Sequence, residues 1–248
     1  MPTFPPALLV DGRRLPGNAD TFRRLVKALD VQPGERVALL GAADGASLKI
    51  LGREFGAQVT AVEWEPALLS AAEARVREEN LSGRVTLRSG GPAELPRAGF
   101  DVVIVESMPP PGPLTPFAAE LRELLALNGR LGLTLPAAVG LSTAAPVADH
   151  WARQQGAPLV RPQAMLGQLE QAGFEPQWAE ALSDEVLAEH YRLAAGVVAT
   201  ADAARAAPLK DAIALFTEGP GRTGSAFVMI VGRRREPGEK PPAARTSG

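Results

Sequence analysis

The chain has 248 residues, 46% of them hydrophobic, enough for the core of one sizeable α/β domain with room for an insertion. It contains no cysteine and two histidines, His150 and His190, which excludes disulfides, thiolate metal sites and a histidine-rich metal centre. A formal charge of −2 gives no reason to expect nucleic acid or an anionic membrane as partner, and there is no signal pattern or apolar run long enough to span a bilayer, so a cytoplasmic protein is expected.

Residues 1–18 are rich in Pro and Gly and read as an extended arm or lid rather than a core element. Asp20-Thr21 is a candidate cap for a helix whose apolar positions Phe22, Leu25, Val26 and Leu29 fall at helical spacing. Gln32-Pro33-Gly34-Glu35 then turns the chain into a short apolar strand, Val37 to Leu40. That strand stops at Gly41. The small residues Gly41, Ala42, Ala43, Asp44 and Gly45 form a turn, and from Ala46 the spacing becomes helical, with Leu48, Leu51 and Phe55 on one face. A strand–turn–helix unit of this kind brings backbone N–H groups close to a ligand. A second strand, Gln58 to Val62, ends on Glu63, whose carboxylate can accept both hydroxyls of a ribose.

Pro66 opens a helix with Leu68, Ala72 and Val76 along one face, and the charges from Glu73 to Glu79 make its solvated side. Arg84 to Arg88 reads as a third strand, and Phe100 to Val105 as a fourth, nearly all apolar as a strand buried on both faces should be. Phe117, Leu121, Leu124 and Leu125 mark the next helix, and Asn128-Gly129 turns it into a fifth strand, Arg130 to Leu135. Helices are expected around Val147 to Gln155 and over Ala164 to Ala172, the latter ended by Gly173, with a sixth strand at Pro176 to Leu182. A helical insertion, 183–218, follows. It carries the stripes Leu187, Tyr191, Ala194, Val198 and Leu209, Ala212, Ile213, Phe216. Ser225 to Val231 is a last strand, and 233–248 reads as a disordered polar tail in which Arg233-Arg234-Arg235 is simply solvated. Strand–helix alternation throughout predicts a doubly wound parallel sheet over 19–232.

At this point the chain resembles the class I, Rossmann-like S-adenosylmethionine-dependent methyltransferases of small-molecule type, over roughly residues 15–233. The likeness rests on linked segments. Val31 to Val37 resembles the lead-in to the family's first strand, Gly41 to Gly45 sits at its glycine-rich loop, and Ala61 to Pro66 matches the end of its second strand. Pro92-Ala93-Glu94-Leu95-Pro96 resembles the loop beside the adenine, Phe100 to Val103 the fourth strand, Leu124 to Leu131 the turn into the fifth, and Leu169 to Phe174 the helix before the sixth. The resemblance implies a sheet of about seven strands with an antiparallel last strand. It also implies S-adenosyl-L-methionine as cofactor, held by Gly41, Ala42, Ala43, Gly45, Glu63, Trp64, Gly91 and Pro92, and a small-molecule acceptor, with the protein a monomer or homodimer. The inserted helices resemble those of a subset that covers the acceptor pocket.

Three positions depart from the family pattern, and all concern the cofactor. Leu39 stands where a carboxylate usually holds the ammonium of the methionine moiety. Ala43 replaces the middle loop glycine, where a glycine-only dihedral would be strained. Gly91 replaces the acid that contacts the adenine amine. Losing two charge-assisted hydrogen bonds would weaken binding by roughly one to several powers of ten. Asp44 either restores some negative charge or caps the following helix.

Single residues carry competing readings. Trp64 either lies along the adenine or packs under the next helix. Glu106 and Ser107 end the fourth strand, where they either position and deprotonate an acceptor or face solvent. Pro109-Pro110-Pro111 stiffens that exit. His190 is a candidate acid or base, Tyr191 a packed residue, and His150 a surface or loop histidine. The leading expectation is methyl transfer to a small molecule. The alternative is a non-catalytic protein of the same fold with weak or lost cofactor binding. A nicotinamide-dependent oxidoreductase fits poorly, because Gly41 to Ala46 lacks the full Gly-x-Gly-x-x-Gly spacing and no hydride-site dyad is visible.

Overall fold

The computed structural model describes residues 9–106, 112–139, 141–201, 203–216, 224–236 and 238–239. Seven strands form one sheet: β1 (Arg36–Leu40), β2 (Gln58–Glu63), β3 (Val85–Ser89), β4 (Phe100–Val105), β5 (Leu125–Ala138), β6 (Phe174–Ala181) and β7 (Ser225–Arg234). Their order is β3-β2-β1-β4-β5-β7-β6. β7 is antiparallel to both neighbours, and β1 to β5 pair in parallel. The central strands β1 and β4 are buried almost throughout, as their continuous apolar sequences require.

The helices are α1 (Ala19–Ala28), α2 (Ala46–Lys49), α3 (Pro66–Glu78), α4 (Leu114–Leu124), α5 (Ala145–Gln155), α6 (Pro162–Gln171), α7 (Asp184–Thr200) and α8 (Ala203–Phe216). α2 runs on into a π-helical turn, Ile50–Glu54. One core layer joins α1, α2, α3 and the inserted helices to one face of the sheet through Phe22, Leu25, Leu48, Leu51, Ala72 and Tyr191. The other layer packs α4 and α6 on the opposite face through Phe117, Leu121, Met165 and Leu169.

Several local expectations shift. The cap of α1 is Asn18, not Asp20-Thr21: its side chain accepts from the backbone N–H of Asp20 and Thr21, and the Thr21 hydroxyl closes a capping box with the Asn18 N–H. Leu125 leaves the helix for extended backbone, and Asn128-Gly129 lies inside β5 instead of preceding it. There the β4–β5 register jumps from Phe100–Leu125 to Val102–Arg130. Asn128 takes φ +59°, and a Cβ on Gly129 would lie 2.9 Å from the Ala126 carbonyl oxygen, so the expected turn is a bulge within one long strand.

β7 also outlasts its expected end. Arg233 pairs with Glu175 and Glu239, each at 2.6 Å, and Arg235 is buried, so these arginines are stitched to the sheet rather than solvated. Residues 237 and 240–248 of the expected tail lie outside the described residues. Among the described residues no helix is long and apolar enough to cross a membrane.

Candidate nucleoside crevice

Chain order reverses between β1 and β4, and at that switch point the strand tips open a crevice of the kind ligands occupy in doubly wound sheets. The loop after β1 is laced to β2 by the N–H groups of Gly41 and Ala42, which donate to the Val62 carbonyl at 3.1 and 3.2 Å. On the other side the Glu106 N–H donates to the Leu40 carbonyl at 3.3 Å. Glycine is required at two loop positions. Gly41 and Gly45 have φ of +83° and +86°, and a Cβ on Gly45 would meet Ala72 at 3.1 Å. Ala43 adopts φ +48°, the left-handed conformation expected of the glycine it replaces, at a cost of about 1–2 kcal/mol.

Asp44 resolves in favour of structure. Its Oδ1 accepts from the Ala46 N–H at 3.0 Å, and its Oδ2 pairs with Arg75 at 2.7 Å. Leu39 is fully buried in the core, with no carboxylate substitute beside it in the strand. Gly91 precedes a 3-10 turn, Pro92–Glu94, and a Cβ on it would meet nothing within 4 Å. The volume an acidic side chain would fill there is open.

Glu63, at the tip of β2, is completely buried. Four donors hold it. The N–H of Ala43 reaches Oε2 at 2.8 Å and the N–H of Glu65 reaches Oε1 at 3.0 Å. Arg14 supplies the other two, Nη1 to Oε2 at 2.9 Å and Nη2 to Oε1 at 2.7 Å. A carboxylate offers about four lone-pair sites, so Glu63 is saturated. The Arg14 guanidinium also lies 4.2 Å from the centroid of the Trp64 ring, close enough for a cation–π contact. Trp64 is half-buried and packs against the α4–α6 core layer with this cation on its ring, not under α3, whose buried residues Ala72 and Val76 belong to the opposite layer.

The arm delivering Arg14 departs from its expected character as well. Val10 and Arg13 exchange backbone hydrogen bonds of 2.9 and 3.0 Å around Asp11 and Gly12, both at positive φ, so the segment is a tight turn and not extended. Val10, Arg13 and Leu15 to Gly17 are buried. A Cβ on Gly12 would lie 2.7 Å from Asp44 Oδ1, so the arm backbone presses directly on the glycine-rich loop.

Arg13 turns the other way, and its Nε donates to Glu106 Oε1 at 2.9 Å. Glu106 is thus buried against a cation and does not face solvent. Burial raises its carboxyl pKa, and Arg13 and the Ser47 hydroxyl partly oppose that rise. Arg13 and Glu106 also line a cavity of about 20 Å³ with Leu15, Phe22, Thr134 and Met229, room for about one water. Ser107 and Pro109-Pro110-Pro111 lie outside the described residues.

Among the inserted helices, His190 is buried and its Nδ1 has no hydrogen-bond partner. Desolvation, with the Arg13 charge as a second cause, lowers its pKa to about 4, so the ring is neutral at pH 7. Tyr191 is packed as expected, stacked on Phe216 at 5.3 Å, and burial raises its pKa. His150 corrects the sequence reading. It is buried in α5, edge-on to Trp151 at 5.0 Å and to Phe216 at 5.6 Å, and burial lowers its pKa. Its ring neighbour Phe216 comes from α8, distant in sequence, which is why local pattern left His150 outside. Among the described residues no group of three or more His, Asp or Glu is placed to hold a metal.

Sequence reasoning missed Arg13 and Arg14. The available signals were the Asp11-Gly12 pair, a strong two-residue turn motif, and two acids at the tips of the strands flanking β1 that need counter-charges once buried.

No family model matches the chain. A stretch of 107 residues is 35% identical to protein-L-isoaspartate O-methyltransferase of Methylorubrum populi, covering 43% of this chain and 48% of that protein. The match therefore spans about half the length of that curated relative. Among solved structures, a methyltransferase from Thiobacillus denitrificans in complex with S-adenosylhomocysteine superposes with a TM-score of 0.71 at 16% identity, over 89% of this chain and 93% of that one. The [4+2]-cyclase SpnF superposes with a TM-score of 0.66 at 19% identity, over 94% and 89%. With its strand order and reversed β7, the chain has the fold of the class I, Rossmann-like S-adenosylmethionine-dependent methyltransferases.

Proposed function

We propose that the protein is an S-adenosylmethionine-dependent methyltransferase acting on a small-molecule acceptor. The observation that carries this reading is the meeting of the glycine-rich loop and the β2-tip carboxylate, Ala43 N–H to Glu63 Oε2 at 2.8 Å, at the sheet's switch point. The residues fit the adenosyl half of the cofactor. Once Arg14 leaves them, Glu63 is the acceptor for the ribose hydroxyls and Trp64 offers a ring face, while Gly91 and Pro92 border open space for the base and Gly41, Ala42 and Gly45 let the backbone approach. At the methionine end the acid that Leu39 replaces is missing, so that half is held less strongly.

When bound, S-adenosylmethionine supplies an electrophilic methyl on a sulfonium. What remains for the protein is alignment and exclusion of water. Glu106, at the end of β4, is the group poised to orient an acceptor. Its raised pKa lets it hold a proton nearer neutrality than an exposed carboxylate does. His190 is neutral and buried on the inserted helix α7, where desolvation and the Arg13 charge disfavour its taking up a proton near neutral pH.

Calorimetric titration with S-adenosylhomocysteine up to millimolar concentration tests the reading. Glu63→Ala is expected to weaken binding by about 10- to 100-fold, the worth of a pair of charge-assisted hydrogen bonds. Unchanged affinity would remove Glu63 from the site.

One observation favours a second reading, a non-catalytic protein of this fold: the saturation of Glu63 by Arg14 together with the N–H groups of Ala43 and Glu65. Absence of heat and of any thermal shift, in the native chain and in a variant lacking Arg14, would favour it. The [4+2]-cyclase SpnF illustrates that this architecture is not tied to methyl transfer.

A further inference from the structure

We propose that the N-terminal turn, Val10 to Leu15, is an internal competitor for the nucleoside crevice, with Arg14 occupying the contacts on Glu63 and Trp64 that a ribose and an adenine ring would take. The proposal rests on the nucleoside reading of that crevice.

Four observations carry it. First, the two donors that Arg14 presents to Glu63 stand where two ribose hydroxyls would donate, and the remaining lone pairs are fixed by Ala43 and Glu65 N–H. No acceptor capacity is left, so ribose and Arg14 exclude each other. Second, a planar guanidinium 4.2 Å from the Trp64 centroid occupies space that a stacked purine would need. Third, the contact is built rather than incidental: the Arg14 side chain is 8% exposed against a Glu63 side chain at 0%, and Glu65 lies 3.5 Å away as a second carboxylate partner. Fourth, the turn is clamped on its other flank by the Arg13–Glu106 pair and by the fit of Gly12 on Asp44.

Release of the turn separates Arg13 from Glu106 and lifts Val10 and Leu15 from their buried sites, so the segment leaves as a unit. Its own backbone bonds close the turn between Val10 and Arg13, and the Asn18 capping box anchors the start of α1. Between them lies Gly17 at φ +146°, a conformation open to glycine. Rotation there withdraws Arg14 without unwinding α1. Departure of Arg14 bares two lone pairs of a buried carboxylate, and a ligand bearing two hydroxyls restores them. Ligand entry and arm release are therefore one exchange equilibrium, and the apparent affinity is reduced by the fraction of molecules in which the arm is out.

The test uses the full chain and two variants. Arg14→Ala removes the competing group. Val10→Asp leaves the crevice untouched and expels the turn by placing a carboxylate at a site 1% exposed in the docked arm. Hydrogen exchange of residues 9–17, without ligand, reads arm release. Calorimetry with S-adenosylhomocysteine reads affinity. Faster exchange in both variants, with binding about 10- to 100-fold tighter than in the native chain, is expected. Equal affinity in the native chain and a released variant overturns the competition, and weaker binding overturns it in favour of a lid that helps hold the ligand. Unchanged exchange in Arg14→Ala refutes Arg14 as the clasp. Released arms with no binding in any form refute the nucleoside reading itself and the competition with it.

Discussion

The Nε of Arg13 donates to Glu106 Oε1 at 2.9 Å, and both side chains are less than a tenth exposed. Breaking such a pair from one side leaves an uncompensated buried charge. Arg13→Ala should therefore cost about 3–5 kcal/mol in urea denaturation. Adding Glu106→Gln to it should recover most of that loss, because the orphaned charge is gone. A single variant within 1 kcal/mol of the native chain, on the scale of ordinary surface changes, would mean that water already reaches the pair.

Acid should destabilise the fold through His190. Its pKa is about 4 in the folded protein, against an ordinary value of 6.5. Between those values the unfolded chain binds a proton that the folded one does not. Stability is unaffected above pH 6.5 and falls as pH drops towards 4, by up to about 3 kcal/mol. Urea midpoints measured from pH 7 to pH 4 should fall more steeply in the native chain than in His190→Gln. Parallel profiles would contradict the burial of this ring.

The two missing acids differ in how they can be restored. Gly91→Asp should be tolerated within about 0.5 kcal/mol, because a side chain there enters open space. Leu39→Asp places a carboxylate at a fully buried core position and should cost several kcal/mol, enough to threaten folding. Thermal melts of the pair check this contrast. Equal stability would mean that position 39 faces the crevice.

Ala43→Gly should stabilise by up to about 1 kcal/mol. The relief of φ +48° slightly outweighs the extra freedom glycine has in the unfolded chain. Chemical denaturation measures it, and a clear loss of stability would mean that the Ala43 methyl packs usefully despite its backbone.

Much of the architecture was legible because it is repeated locally. Apolar runs at β1, β2 and β4, and helical spacing in α1, α3 and α4, each carry their own signal, and the sheet order follows the family likeness. The bulge at Asn128-Gly129 was not legible as such, because those two residues signal a turn, and only pairing with β4 keeps the strand running through it. Of the candidate site, the place of Glu63 at a strand tip was legible, yet its partner Arg14 lies 49 residues earlier in a segment whose prolines and glycines suggested no packing at all. His150 failed for the same reason, since what buries it arrives from another helix.

Only Leu15, Pro16 and Gly17 separate Arg14 from the Asn18 cap of α1. Fully stretched, that span reaches about 14 Å, so a withdrawn guanidinium never diffuses away from its carboxylate. A tethered group at such short range counts as a solute at roughly millimolar strength or more, whatever the protein concentration. Dilution cannot empty the crevice, and only the abundance of free nucleoside sets how often it changes hands.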